Sequence, residues 1–276
     1  MSRRTTAIAA SLSVLALGSP LITGCTNPLA TQYFNQGVEK YEAGNYQGAI
    51  TDYDKAIEIN PQDADAYNNR GNSKGNLEDC QEAIADFSKA IEINPQYARA
   101  YYNRGLCKRN LKDFQGAISD YDKAIEINPQ DADFYYNRGN IKGVLEEYHG
   151  AITDYDKAIE ISPQDADAYN NRGNTKRNLK DFQGAIADYA KAIEINPQYV
   201  IAYINRGVAK RKLKDYQGAI VDHGKAIEID PEFASAYTLR GINKELIGDL
   251  KGACRDWRKA ADFGLTEPAE WVKNQC

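Results

Sequence analysis

Six prolines fix the architecture of this chain before any other feature is read. Pro61, Pro95, Pro129, Pro163, Pro197 and Pro231 stand 34 residues apart. Other residues keep the same beat when each copy is numbered from residue 30. Glycine holds position 8 (Gly37 to Gly241), and alanine holds positions 20 and 27 (Ala49 to Ala253, Ala56 to Ala260). A fixed period of this size signals a stacked-repeat array, whose seven copies are 30–63, 64–97, 98–131, 132–165, 166–199, 200–233 and 234–267. Apolar residues fall at helical spacing over roughly positions 2–14 and 17–30. Glycine at 8 and alanine at 20 bury little, so they mark a close helix crossing. Tyrosine at position 4 and the aromatic at position 24, Tyr101 and Tyr121 for example, fill the space beside it. Proline at position 32 cannot continue the second helix and forces a turn. One hairpin cannot cover its own apolar face, so each must stack on its neighbours.

The period, the small residues at 8, 20 and 27, the aromatic at 24 and the proline at 32 together resemble the tetratricopeptide repeat. The resemblance covers about six-sevenths of the chain. It implies an all-α fold: a right-handed α-solenoid of seven 34-residue helix-turn-helix repeats. Two positions depart from the family. Position 7, usually leucine, is arginine in six copies (Arg70, Arg104, Arg138, Arg172, Arg206, Arg240), and position 11, often aromatic, is lysine in all seven (Lys40 to Lys244). Aspartate meanwhile occupies position 23 throughout, from Asp52 to Asp256. The first copy has Gln36 where the others have arginine, so an inter-repeat scheme, Asp52–Arg70 through Asp222–Arg240, is expected. The last copy ends Phe263-Gly264-Leu265, after which a capping helix over 268–276 is expected, with Trp271 as its anchor.

Residues 1–24 read as a targeting segment. Arg3 and Arg4 give a basic start, and Ala7 to Leu17 form an apolar run too short to span a bilayer comfortably. Leu21-Ile22-Thr23-Gly24-Cys25 resembles the bacterial lipobox, which implies cleavage before Cys25 and lipidation there (a diacylglyceryl thioether and an acylated amino group, such as palmitate). Several acyl chains anchor far more firmly than one. An ordinary secretory signal with an incidental Cys25 is the alternative. Loss of Arg3 and Arg4 moves the formal charge from −5 to −7. Residues 25–29 then form a tether, in which Thr26 to Leu29 reach roughly 14 Å. The expected location is the bacterial cell envelope, on the periplasmic face or outer membrane.

Four cysteines remain. Cys80 at position 17 and Cys107 at position 10 of the next copy lie on neighbouring antiparallel helices, and Cys254 and Cys276 repeat that logic loosely. Disulfides Cys80–Cys107 and Cys254–Cys276 are expected for an exported chain, against the alternative of four free, buried thiols.

In the resembling family, positions 2, 5, 6, 9, 12 and 13 line a concave face. Position 6 is asparagine in six successive copies: Asn35, Asn69, Asn103, Asn137, Asn171 and Asn205. An amide offers a donor and an acceptor, matching a peptide backbone, and such a ladder resembles that of arrays holding extended polypeptides. Bonding of these amides within the array is the competing reading. Position 5 adds Phe34, Tyr102, Tyr136 and Ile204; positions 12 and 13 add Arg109, Arg177, Arg211 and Lys212, offset by Asp65, Asp133 and Asp167. No copy has lysine at position 5 or a basic residue at position 6, so the carboxylate clamp known in the family is absent.

Catalysis finds no support. His149 and His223 lie in different copies, and there is no Gly-rich phosphate loop, metal-spaced His/Cys group or Ser/His/Asp constellation. No cofactor, metal or small-molecule substrate is expected. An acidic chain, pI near 5.3, lacks the basic footprint nucleic acid needs. These features point to a non-catalytic, lipid-anchored scaffold or adaptor that binds a protein or peptide and serves envelope-complex assembly. A structural spacer or self-association module that binds no peptide is the alternative.

Overall fold

The computed structural model describes residues 27–276, which form two compact units. The N-terminal unit, from residue 27 to 129, holds α1 (Pro28–Glu42), α2 (Tyr46–Ile59), α3 (Ala64–Asn76), α4 (Cys80–Ile93), α5 (Ala98–Asn110) and α6 (Phe114–Ile127). The C-terminal unit, 130–276, holds α7 (Ala132–Val144), α8 (Tyr148–Ile161), α9 (Ala166–Asn178), α10 (Phe182–Ile195), α11 (Val200–Lys212), α12 (Tyr216–Ile229), α13 (Ala234–Leu246), α14 (Leu250–Asp262) and α15 (Thr266–Gln275). Among the described residues the fold is all-helical, with seven helix pairs and a terminal helix.

Turn chemistry sets the boundaries. Position 15 adopts a left-handed conformation between paired helices, with φ of 64° at Glu78 and 63° at Lys180, and 74° at Gly44. The next residue is usually an aspartate, and its carboxylate caps the second helix. Asp113, for example, accepts from the Gly116 N–H at 3.0 Å, and Asp181 from Gly184 at 2.9 Å. In the crossing itself, glycine at position 8 lies under the aromatic at position 24. A Cβ at Gly37 would come within 2.6 Å of the Tyr53 ring, and one at Gly105 within 2.6 Å of Tyr121. The alanines at positions 20 and 27 are fully buried beside these rings, as are Phe87, Tyr189 and Trp257.

The arginine–aspartate pairing differs from the inter-repeat scheme. Each position-7 arginine grips the aspartate of its own repeat: Arg70 with Asp86, Arg104 with Asp120, Arg138 with Asp154, Arg172 with Asp188, Arg206 with Asp222 and Arg240 with Asp256. The contact is two-pronged, with Arg172 Nε 2.9 Å and Nη2 2.6 Å from the two Asp188 oxygens. Position-11 lysine completes it, Lys176 Nζ lying 2.8 Å from Asp188. Lys40, assisted by Lys55, serves Asp52 where Gln36 supplies nothing. The two departures from the family pattern therefore compensate one another around one buried carboxylate. A true inter-repeat bond exists, but it ends on position 25: Arg70 Nη1 reaches Asp54 at 2.6 Å, and Arg172 reaches Asp156 at 2.6 Å. Each arginine also lies over its position-4 tyrosine, as Arg172 over Tyr169 at 5.3 Å.

The ends of the chain sharpen three further expectations. Residues 1–24, Cys25 and Thr26 lie outside the described residues. The helix starts at Pro28, capped by Asn27, so Pro28 and Leu29 belong to α1 rather than to a tether. At the other end α15 starts at Thr266, two residues before the expected Pro268, and packs on α14, with Trp271 edge-on to Trp257 at 5.2 Å. Cys254 and Cys276 are bonded, their Cα atoms 5.7 Å apart. Cys80 and Cys107 are free thiols, contrary to the disulfide expected of them. Both are buried in one apolar cluster with Ala83 and Phe87. Burial first, and the adjacent Cys80 second, push the Cys107 thiol up, which keeps scarce the thiolate that disulfide exchange needs.

Candidate protein-binding face

Within each unit the first helices of successive repeats touch: α1 with α3 and α3 with α5, then α7 with α9, α9 with α11 and α11 with α13. The second helices of neighbouring repeats do so less. The face made by the first helices therefore carries the candidate binding residues.

On that face the asparagines divide. Asn35 is exposed, and Asn69, Asn103, Asn171 and Asn205 are half-buried. Asn137 is buried and donates to the Asp133 carbonyl at 2.9 Å. Three of the others donate to the preceding repeat: Asn103 to Asn68 Oδ1 at 3.1 Å, Asn205 to Asn170 Oδ1 at 3.0 Å, and Asn171 to the Tyr136 hydroxyl at 2.9 Å and Asn140 Oδ1 at 3.1 Å. Asn68 and Asn170 continue the chain by donating to Asn69 and Asn171, each at 3.2 Å. Position 5 of one repeat is thus wired to position 6 of the next. Asn68, Asn140 and Asn170 were not singled out by sequence; the Asn68-Asn69 and Asn170-Asn171 doublets were the available signal.

Tyr102, Tyr136, Arg109, Arg177 and Arg211 are half-buried, whereas Ile204 is buried and Lys212, Asp65, Asp133 and Asp167 are exposed. Tyr102 and Tyr136 lean on the position-24 tyrosines, at 5.8 Å from Tyr121 and 6.1 Å from Tyr155. Burial, the largest influence, pushes the Tyr136 phenol up to about 12, so the hydroxyl that accepts from Asn171 stays neutral. Arg177 Nη1 donates to Asn205 Oδ1 at 3.3 Å. Arg109 lies beside Asn110, 3.4 Å from its amide oxygen, and Arg211 sits half-buried near the end of α11. His223 replaces the position-24 aromatic and is fully buried; desolvation lowers its pKa to about 4. Its Nε2 abuts Gly207 without a hydrogen-bond partner, which suits a core filler rather than a proton carrier. Among the described residues no His, Cys, Asp and Glu group could hold a metal, and no helix is long and apolar enough to cross a membrane.

Tetratricopeptide repeat models match residues 64–97, 98–131, 166–199 and 200–233, another covers 120–153, and a TPR repeat model covers 37–78 and 145–176. The chain belongs to the tetratricopeptide repeat family. No curated protein sequence matches it. Among solved structures it resembles YrrB, described as a TPR protein with an unusual peptide-binding site, at 27% identity over 67% of this chain and 95% of that one, with a TM-score of 0.59. MamA is similar at 27% identity, covering 62% and 93% with a TM-score of 0.57. A tetratricopeptide repeat protein from Parabacteroides merdae shares the fold over 90% of this chain and 98% of its own, at 20% identity and a TM-score of 0.65. Members of this family are protein–protein interaction scaffolds, and this chain has that architecture.

Proposed function

We propose that this chain is a non-catalytic adaptor that holds an extended polypeptide segment against its first helices while a lipid at Cys25 keeps it at a bacterial membrane. The observation that carries the binding reading is the face of amides, phenols and guanidinium groups on successive first helices: Asn35, Asn69, Asn103, Tyr102 and Arg109 in one unit, Asn171, Asn205, Tyr136, Arg177 and Arg211 in the other. A preorganised surface of this kind loses little side-chain entropy on binding. The peptide-binding site of YrrB supports the reading by similarity.

The internal bonding of Asn103, Asn171 and Asn205 assigns them a second duty, holding repeats in register. The binding test therefore falls on residues outside that wiring. Asn35→Ala with Arg211→Glu weakens partner capture and leaves the melting transition in place; full capture by this variant contradicts the groove. The internal wiring favours the spacer reading, which predicts that Asn103→Ala with Asn205→Ala lowers stability and changes no association. Lipidation rests on the lipobox-like stretch, and its check is palmitate labelling of the intact chain beside Cys25→Ser. Label that is lost with the thiol supports the anchor, and an unlabelled parent chain removes it.

A further inference from the structure

The last second helix, α14, breaks the pattern of its six counterparts on its outer face. At position 18 the other repeats carry Gln47, Gln81, Gln115, His149, Gln183 and Gln217; here stands Lys251. At position 22 they carry Thr51, Ala85, Ser119, Thr153, Ala187 and Val221; here stands Arg255. At position 25 they carry aspartate, serine, alanine or glycine, and here stands Arg258. Neutral or acidic residues at three positions become cationic together, and the spacing of four then three places them on one helix face.

Three structural facts turn that face into a site. All three cations are exposed. None has a carboxylate partner among the described residues, whereas outer-face lysines on the preceding helices pair with glutamate three residues on: Lys157–Glu160, Lys191–Glu194 and Lys225–Glu228. Lastly, Lys251, Arg255 and Arg258 together with Leu250, Cys254 and Cys276 line an open cleft of about 500 Å³. Leu250, 43% exposed, gives it an apolar wall.

We infer that this cleft is a second docking site, separate from the first-helix face, for an acidic partner segment that presents carboxylates beside an apolar side chain. Guanidinium groups bind carboxylates in two-pronged fashion, and unpaired cations on an otherwise acidic chain steer such a segment by charge. A bilayer fits less well. An interfacial helix turns its apolar face outward, and that of α14 (Ala253, Cys254, Trp257, Ala260) is buried in the repeat.

The test titrates a fluorescent peptide of repeated Glu-Glu-Leu triplets onto the intact chain, beside its Gln-Gln-Leu counterpart and vesicles containing phosphatidylglycerol. The acidic peptide is expected to bind, and added salt to weaken it. Lys251→Glu with Arg255→Glu and Arg258→Glu is expected to lower affinity about tenfold or more. Reversing Lys157, Lys191 and Lys225 instead, or changing Asn35 and Arg211, leaves binding unchanged, which separates this site from the groove. Arg255→Gln with Arg258→Gln, two exposed residues without ion pairs, gives the answer if the triple reversal lowers helicity. Equal binding of both peptides, undiminished binding by the charge variants, or charge-sensitive binding to vesicles alone overturns the inference.

Discussion

The repeats at 166–199 and 234–267 follow one plan and part company where the first leads into another helix pair and the second into α15. In both, an arginine and a lysine of the first helix close on the position-23 aspartate: Arg172, Lys176 and Asp188 in one, Arg240, Lys244 and Asp256 in the other. Position 24 is Tyr189 in one and Trp257 in the other. The earlier repeat ends in proline and leads into the next hairpin. The later one ends at Gly264, in a left-handed conformation, and leads into α15, pinned by the Trp257–Trp271 contact and the Cys254–Cys276 bond. Contacts inside a repeat are thus held constant, while the contacts that follow it differ: another hairpin in one case, a single helix held by a ring contact and a disulfide in the other.

The comparison breaks most visibly if the shared ion cluster is removed. Asp188→Ala leaves Lys176 without its carboxylate and Arg172 with the exposed Asp156 alone, both cations being more than three-quarters buried, and is expected to cost about 3–5 kcal/mol in denaturant unfolding. Adding Arg172→Leu and Lys176→Tyr, which restores the family's usual residue types, should recover most of that loss. If the single change is silent, the cluster is ornamental.

Much of this was open to reading in the sequence, and its misreadings have physical causes. Period, helix pairing and the close crossing at glycine followed from side-chain size and from proline, because those are local constraints. The partner of Asp86 did not. Arg70 and Arg104 are nearly equidistant from it along the chain, and Gln36 argued for the wrong one. The constant lysine at position 11 was the missing clue, since Lys40 fills the gap at Asp52. The asparagines posed the same difficulty. A row of amides reads alike whether its donors face a ligand or the previous repeat, and the offset of 35 residues that joins Asn68 to Asn103 emerges only when the first helices are seen side by side. With the cysteines, proximity was inferred correctly for Cys80 and Cys107, but burial in an apolar cluster left them as thiols.

Reducing the Cys254–Cys276 bond sharpens the comparison at the terminal repeat. It closes a separation of 22 residues, and opening it should cost about 3 kcal/mol. Hydrogen exchange is expected to speed up in α14 and α15 and not in α9 or α10. Uniform acceleration would mean that the cap supports the whole unit.

A pH titration addresses repeat six, where His223 replaces the aromatic. Its folded pKa, lowered to about 4 by burial, lies below the ordinary value of 6.5. Protonation therefore favours the unfolded chain. The penalty is absent above about pH 6.5, grows as pH falls, and is complete below about 4, where it reaches up to about 3 kcal/mol. His223→Tyr should remove this acid-sensitive component, visible as a flatter melting temperature between pH 4 and 7; an unchanged profile contradicts the assignment.

The smallest effect is at the turn. Lys180 holds φ of 63°, a conformation glycine adopts without cost, so Lys180→Gly should stabilise by up to about 1 kcal/mol. At Gly44 and Gly248 the residue is already glycine, and Gly248→Lys should lose a similar amount.

Site-specific photocrosslinking in cells tests the binding face most directly. A photoreactive residue is placed at Asn35, Asn69 or Arg211 on first helices, and at Lys89, Lys157 or Lys191 on the outer side of second helices. Crosslinks to one common partner from the first set and none from the second are the predicted result. A partner captured equally from both sets, or from the second alone, would contradict the account.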